Sequence, residues 1–349
     1  MIHEASRIMR TSYPRVSVVV INVRGTQKLE KCLESLVKTD YPNLEILVVD
    51  CQTSQIEEWI ESRYTDVKVI HFAHDIGPSA SHNVGANEAS PTSKYVAFLD
   101  NDTVVEPTFL KQLTETLEHD ETIGIAQAKI LKMNEEDRLD HTGLAIDIFG
   151  TWNTTFGMRE RNFSRVFEIF AASSAACITK RRVFNEVEGF DEDFFIYDDD
   201  TDFCWRVRLL GYGVVFVPSA RVHHCGEIGR GLQPRRLYHS AKNRVCTMLK
   251  NYELRNLWQR AFMYYVLLVL CAYGFAFMLK PKHAYALLKG LAYPILNLRT
   301  VWSKRLRIQL RRLIGDDELF EKRLLRKDVY ATLQDVLSKA ALTIGAELQ

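Results

Sequence analysis

"YVAFLDNDTVV", Tyr95 to Val105, ends an apolar run in two aspartates flanking an asparagine. Val96, Ala97, Phe98 and Leu99 are too few for a helix and have the pattern of a buried strand. The run gives way to Asp100, Asn101 and Asp102, so two like charges stand two residues apart where the chain leaves a core. Solvent or a cation must offset their repulsion. Carboxylate oxygens suit a hard ion such as magnesium or manganese, which also holds phosphate oxygens. Asp-x-Asp after a strand is common in plain turns, so this stretch alone leaves both readings open.

The flanking sequence supplies a frame. Upstream, "VSVVVI" from Val16, "LEILVVD" and "VKVIHF" read as strands. A helix is expected over roughly Thr26 to Lys38, with Leu29, Cys32, Leu33 and Leu36 at helical spacing, and a short one over Ser79 to Ala89. Downstream, Pro107 is well suited to the first turn of another. This alternation predicts an α/β fold: a mainly parallel sheet with helices on both faces. Ligands collect at the carboxyl ends of such strands, where Asp50 and Asp100 both lie. The loop-rich, aromatic stretch "LDHTGLAIDIFGTWNTTFGMRERNFSR" suits a substrate-facing lid or acceptor wall. No internal repeat or low-complexity segment is visible.

A second acidic cluster lies in "GFDEDFFIYDDDTDFCWRVRLLGYG", Gly189 to Gly213. A helix from about Asp199 to Leu210 would stop at Gly211, with Phe203, Val207 and Leu210 on its apolar side and Asp202 paired to Arg206. Asp199 and Asp200 then occupy the first turn, where the helix dipole favours carboxylates. Capping explains one aspartate but not Asp198, Asp199, Asp200 and Asp202 together. An ionised carboxylate at a cleft edge can take a proton from a hydroxyl. Further on, "VPSARVHHCGEIG" brings His223 and His224 to a strand end; imidazole suits manganese-like ions, although a lone histidine is usually packing or solvent-exposed.

The 349 residues make one large domain or two ordinary ones, and a net charge of +1 selects no nucleic acid. Six basic and no acidic residues between Arg299 and Arg312 suggest anionic lipid or another polyanion. Seven cysteines without CxxC spacing argue against disulfides or zinc and for a reducing compartment. The stretch "MIHEASRIMRTSYPR" lacks the apolar core of a secretion signal. Glycosylation-type triplets at Asn101, Asn153 and Asn162 read as chance matches in a cytosolic domain.

Ala261 to Leu279 gives 19 uncharged residues, about the length that spans a bilayer. "AYALLKGLAYPILNL" follows, shorter and broken by Lys289 and Pro294. A hairpin or re-entrant loop over 261–298 keeps the basic tail on the cytoplasmic side, as positive-inside bias favours; two buried core helices are the alternative. In the tail, Trp302, Leu306, Leu310 and Leu313 share one helical face, and Lys304, Arg305, Arg307, Arg311 and Arg312 the other. That pattern fits a helix in the lipid interface or an ordinary surface helix with its basic face in solvent. The expected division is an extension over 1–14, a catalytic domain over 15–230, connecting helices over 231–260, the hydrophobic segment, and a basic amphipathic tail over 299–349.

With these motifs in order, the chain from about Val16 to Lys250 resembles the family 2 glycosyltransferases of the GT-A fold, in the rhamnosyl-, mannosyl- and galactofuranosyl-transferase branch. "VSVVVINVRG" is similar to the family's opening strand, "GPSASHNVGANEA" with "YVAFLDNDT" to its donor-site block, and "GFDEDFFIYDDDTDFCWR" to its catalytic-base block. The resemblance implies a nucleoside-diphosphate sugar donor, a lipid-linked or glycan acceptor, and Mn2+ or Mg2+. It implies Asp102, Asp100 and His224 as metal ligands, with His223 as fallback, and Asp200 as the base with Asp199 beside it. It further implies Asn22, Asp50, Gly77, Asn83, Asp100 and Asn101 on the donor side, and an inverting enzyme at the cytoplasmic face of the cell membrane.

Three departures lie on that donor side. Val23 and Arg24 stand where the family has Tyr-Asn, its Asp-Asn-x-Ser block reads Asp50, Cys51, Gln52, Thr53, and His82 replaces an arginine. A non-catalytic membrane-associated subunit is therefore a rival reading. So is a phosphatase of the haloacid dehalogenase type, since "FLDNDT" fits its motif, although that motif usually sits on a first strand. A Rossmann dehydrogenase is disfavoured because no GxGxxG follows the first strand.

Overall fold

Val16 to Val20 are sealed from solvent in the computed structural model, which describes residues 13–146, 152–153, 155, 157–226, 233–322 and 324. They belong to β1 (Val16–Val23), followed by α1 (Gln27–Leu36), β2 (Leu44–Cys51), α2 (Ile56–Glu61), β3 (Val67–Phe72), α3 (Pro78–Glu88) and β4 (Tyr95–Asp100). These strands pair in parallel in the order β3-β2-β1-β4. Burial on both faces explains their near-continuous aliphatic runs. Gly85 lets α3 rest on β1: a Cβ there would stand 2.2 Å from Val19.

The second half is mixed where a mainly parallel sheet was expected. It comprises β5 (Thr103–Val105), α4 (Phe109–His119), β6 (Ile123–Lys132), β7 (Glu135–His141), β8 (Ala145–Ile146), β9 (Trp152–Asn153), β10 (Phe167–Glu168), β11 (Ala176–Lys180), α5 (Arg181–Glu186), α6 (Asp199–Leu209) and β12 (Gly213–His224). The sheet continues from β4 through β11, β6 and β12 to β10. β11 returns from the β7–β10 excursion and inserts antiparallel to both β4 and β6, while β12 runs parallel to β6. The stretch read as a lid contributes β8, β9 and the end of β7; residues 147–151, 154 and 156 lie outside those described.

Four longer helices and a short one complete the chain: α7 (Pro234–Asn251), α8 (Leu254–Phe277), α9 (Pro281–Leu296), α10 (Leu298–Arg311) and α11 (Asp316–Glu321). The apolar helix starts at Leu254 and not at Ala261, because Glu253 and Asp316 cap each other's backbone N–H at that junction. α8 is the one helix among the described residues long and apolar enough to cross a membrane. α8 and α9 do pair as a helical hairpin, but α9 also lies along α7, and Gly290 is needed there, since a Cβ would meet Tyr238 O at 2.8 Å.

The tail helix reverses the expected orientation. Lys304 pairs with Asp191 and Asp193, Arg311 with Glu188, and buried Arg305 donates to the Leu249 and Tyr252 carbonyls. Lys304 and Arg305 on the basic face of α10 are thus held by the α/β unit, while Arg307 and Arg311 on the same face stay exposed beside Glu188. Trp302, Leu306, Leu310 and Leu313 face outward. Residues 1–12 and 325–349 of the expected extension and tail are outside the described chain.

Candidate active site

β4 delivers Asp100 as its last residue, and the chain turns through Asn101 and Asp102 into β5. β5 pairs antiparallel with the end of β12, setting Thr103 opposite His224. The Thr103 hydroxyl donates to the Asp100 carbonyl at 2.7 Å, and the Cys225 N–H to the Asp102 carbonyl at 2.9 Å. His224 Nε2 consequently lies 3.0 Å from Asp102 Oδ1 and 3.9 Å from Asp100 Oδ2. Asp100, Asp102 and His224 offer ligand atoms all within 4.8 Å of one another. Strand alternation sends the fallback His223 elsewhere, to 3.5 Å from Glu106.

Asp140, which the sequence reading missed, comes from β7 and contacts His224 Nδ1 at 2.6 Å. A carboxylate on the far nitrogen fixes the ring so that Nε2 faces the other two acids, the usual support of a metal-ligating histidine. Burial lifts the Asp100 carboxyl to about 6, with Asp102 and Asp140 adding to the rise and His224 opposing it. Burial also pushes Asp102 up, but His224 and Lys28 outweigh it and hold the carboxyl below its usual range. Burial would lower His224; bonds to Asp102 and Asp140 and the nearby acids instead raise it to about 10. A positive charge is therefore favoured at this corner, and a divalent ion on Nε2 would replace the proton held there. Two carboxylates and an oriented imidazole, opening on a cleft of about 410 Å³ walled by Ile21 and Val23, fit Mn2+ or Mg2+.

The donor-side residues divide. Asn101 donates to Asn22 Oδ1, and Asn22 donates in turn to Asp50, tying the acidic turn to the ends of β1 and β2. Asp50 itself is fully buried, bonded also by the Thr53 hydroxyl and N–H and by His71 at 2.8 Å. These bonds let Asp50 organise the ends of β1, β2 and β3. Asn83 clasps the Phe190 backbone and Glu192 and so shapes the 189–192 loop. Gly77 has φ +81°, and a Cβ there would lie 2.7 Å from Phe195, so glycine admits the loop that leads into α6. The divergent Arg24 bonds Gln52 at 2.9 Å on the surface.

That loop is strained. Phe195, Tyr197 and Asp198 all have φ between 58° and 68°, unfavourable for residues with a Cβ. Asn243 on α7 offsets the cost by donating to the carbonyls of Ile196 and Tyr197 at 2.8 and 2.7 Å, and Arg244 pairs with Asp198 at 3.1 Å. The result presents Asp199 and Asp200 in the first turn of α6. Asp199 accepts from the Ser79 hydroxyl at 3.1 Å, and burial raises it to about 6. Burial and the Asp199 charge push half-buried Asp200 well above the carboxylate range. The Asp100 charge adds a minor further rise to both groups. Asp202 lies apart, locked to Arg206, Lys250 and Asn251; its expected pairing with Arg206 is present at 2.9 Å.

The chain that carries this corner and the helix-borne acidic pair has known relatives. The family described as "Glycosyltransferase like family 2" matches residues 14–248. The O-antigen biosynthesis protein RfbC of Myxococcus xanthus is 28% identical over 234 residues, covering 60% of this chain but only 17% of that protein. Among solved structures, GalNAc-T7 with UDP, GalNAc and Mn2+ aligns over 82% of this chain and 58% of its own, at TM-score 0.60 and 18% identity. The Pyrobaculum calidifontis mannosyltransferase PcManGT, solved with GDP-Man and Mn2+, covers 88% and 91%, at TM-score 0.51 and 16% identity. At such identities the structural likeness is one of fold. Because the family match runs unbroken from the first strand into α7, the chain belongs to glycosyltransferase family 2, and its sheet is that of the GT-A fold.

Proposed function

We propose that the protein moves a sugar from a nucleoside-diphosphate sugar to a hydroxyl of a lipid-linked or glycan acceptor, with inversion, at the cytoplasmic face of the cell membrane. The observation that carries this reading is the convergence of Asp100, Asp102 and His224 within 4.8 Å at the strand ends, with the ring of His224 fixed by Asp140. Asp100, Asp102 and His224 would hold Mn2+ or Mg2+, with Asp140 fixing the histidine ring. The ion, when bound, supplies Lewis-acid stabilisation of the diphosphate leaving group. Asn22 and Asn101 brace the turn beneath it, and buried Asp50 braces Asn22. Gly77 admits Phe195 and so the loop that presents the pair.

On the opposite side of the sugar, Asp200 takes the proton of the acceptor hydroxyl as its oxygen bonds the anomeric carbon and the bond to the diphosphate breaks. Asp199, held by Ser79, sits beside it, and its charge raises Asp200 further. The names of the relatives agree with this chemistry: one serves O-antigen biosynthesis, and two neighbours were solved with nucleotides or a nucleotide sugar and Mn2+. The exposed apolar helices suit an acceptor confined to a bilayer surface.

A screen of nucleotide sugars for manganese-dependent hydrolysis or thermal stabilisation tests the reading. One donor should stabilise the protein only with the metal. Phosphate release from a phosphomonoester without any nucleotide sugar would instead favour the phosphatase reading. Binding of neither manganese nor nucleoside diphosphate would favour the non-catalytic one.

A further inference from the structure

The outer surface of the helical layer carries apolar side chains in rows. On α8, Trp258, Phe262, Val266, Leu270, Tyr273 and Phe277 follow one another at intervals of three or four residues and are 42–90% exposed. They therefore line one face of the helix from end to end. On α10, Trp302, Leu306 and Leu310 repeat every fourth residue and are also exposed. Soluble proteins seldom leave rows of this size uncovered.

The opposite side of α8 is occupied. Leu268, Ala272 and Phe275 pack with Ala284, Leu287 and Ala241, and Tyr265 donates to the Leu291 carbonyl at 2.7 Å. α9 is in turn seated on α7 at Gly290. α7 is fastened to the catalytic unit by Lys242 to the Asp193 carbonyl, Arg244 to Asp198 and Lys250 to Asp191. A bilayer that enclosed the α8–α9 pair would have to take in those charged side chains, at high cost. α8 is long enough to cross, but its packing on α9, and of α9 on α7, argues against crossing.

Charge argues for what covers the rows. From Leu254 to Gly315 there is no acidic residue and there are eleven basic ones. Several of these turn inward, yet Lys282 at the start of α9 and Arg299 at the start of α10 are exposed. We propose that the α8 and α10 apolar rows form a monotopic docking surface for an anionic bilayer, on which the protein lies without crossing. Resting on the membrane-facing reading above, this fixes its geometry: Trp258, Phe262, Tyr273, Phe277 and Trp302 enter the headgroup–acyl boundary, and Lys282 and Arg299 meet the phosphates. The acceptor's reacting hydroxyl would then be met at the surface, without a channel through the layer.

The test uses the full chain and sealed vesicles, either phosphatidylcholine alone or equimolar phosphatidylcholine and phosphatidylglycerol. Flotation should recover the protein with the anionic vesicles, and the double substitution Trp258→Glu with Phe277→Glu should lower recovery by about tenfold or more. Lys282→Cys reports topology at the α8–α9 turn. An impermeant maleimide should label it equally in intact and detergent-opened vesicles, above the background of Cys225. Labelling only after opening would mean that α8 crosses and would overturn the proposal. So would unchanged recovery of the double variant, no recovery with either vesicle, or a solution dimer that the double variant dissolves. Manganese-dependent stabilisation by the donor, measured without lipid, should be the same in all variants. Its loss in the wild-type chain would count against the catalytic reading and leave the vesicle result to stand by itself.

Discussion

The acidic corner at the ends of β4 and β12 and the basic helix α10 were both conspicuous as charge patterns, and they met different fates in three dimensions. At the corner, a strand fixes which side chains point together, so Asp100, Asp102 and His224 converge, while His223, one residue away, does not. In α10 the pattern defines two faces but not which of them turns inward. Acidic Glu188, Asp191 and Asp193 on the catalytic unit draw the basic face in, and the apolar face is left outside. A period identifies a face; its partner decides the orientation.

The largest expected effect lies within the corner and the helix-borne pair. Asp200→Asn should reduce transfer by roughly 100- to 10,000-fold, the usual contribution of a general base, with metal-dependent donor binding retained. Normal turnover in a steady-state assay would remove Asp200 from its role and separate the two acidic clusters functionally.

Next comes Asp140, which touches the ion's ligand but not the ion. Asp140→Asn should weaken manganese binding by about 10- to 100-fold, as loss of an outer carboxylate typically does. A calorimetric titration that matched wild type would mean that β7 contributes packing only.

The helical layer supplies a paired test of smaller size. Arg305→Leu leaves the buried Leu249 and Tyr252 carbonyls without their donor and should cost about 1–3 kcal/mol in urea unfolding. Leu310→Glu, on the outer face, should change stability by less than about 0.5 kcal/mol in lipid-free solution. Reversed magnitudes would restore the orientation expected from the sequence.

The smallest effect concerns pH. Asp199 is raised to about 6 by burial, with the Ser79 bond opposing the rise. Its ionised form is lost as pH falls through that value, above the ordinary carboxylate range near 4. Asp200, the base, is raised further by burial and the Asp199 charge, so activity should decline as pH falls while still well above the ordinary carboxylate range. Ser79→Ala removes a bond that favours the ionised form, so the acid limb of the rate profile should move to higher pH.

Much of the parallel half was legible because β1 to β4 are continuous aliphatic runs separated by helical or turn-forming segments. The mixed half was not. β11 is five residues long, and nothing local to it signals insertion between strands distant in sequence. Asp140 was invisible for a related reason: its proximity to His224 depends on an irregular β6–β7 pairing with two register shifts. Asp50 and Asn83 were conspicuous as polar residues at element ends, but sequence cannot tell a polar group that meets a ligand from one that braces the protein. Asp50 is bonded by Asn22, Thr53 and His71, and Asn83 by the 190–192 loop.

Calorimetry of donor binding with and without manganese, run beside a transfer assay on Asp102→Ala and Asp200→Asn, bears most directly on a cation site facing a base. The two variants should split: Asp102→Ala loses the manganese-dependent part of donor binding, and Asp200→Asn keeps it while losing transfer. Unaltered manganese-dependent binding in Asp102→Ala, or ordinary transfer by Asp200→Asn, would contradict the account.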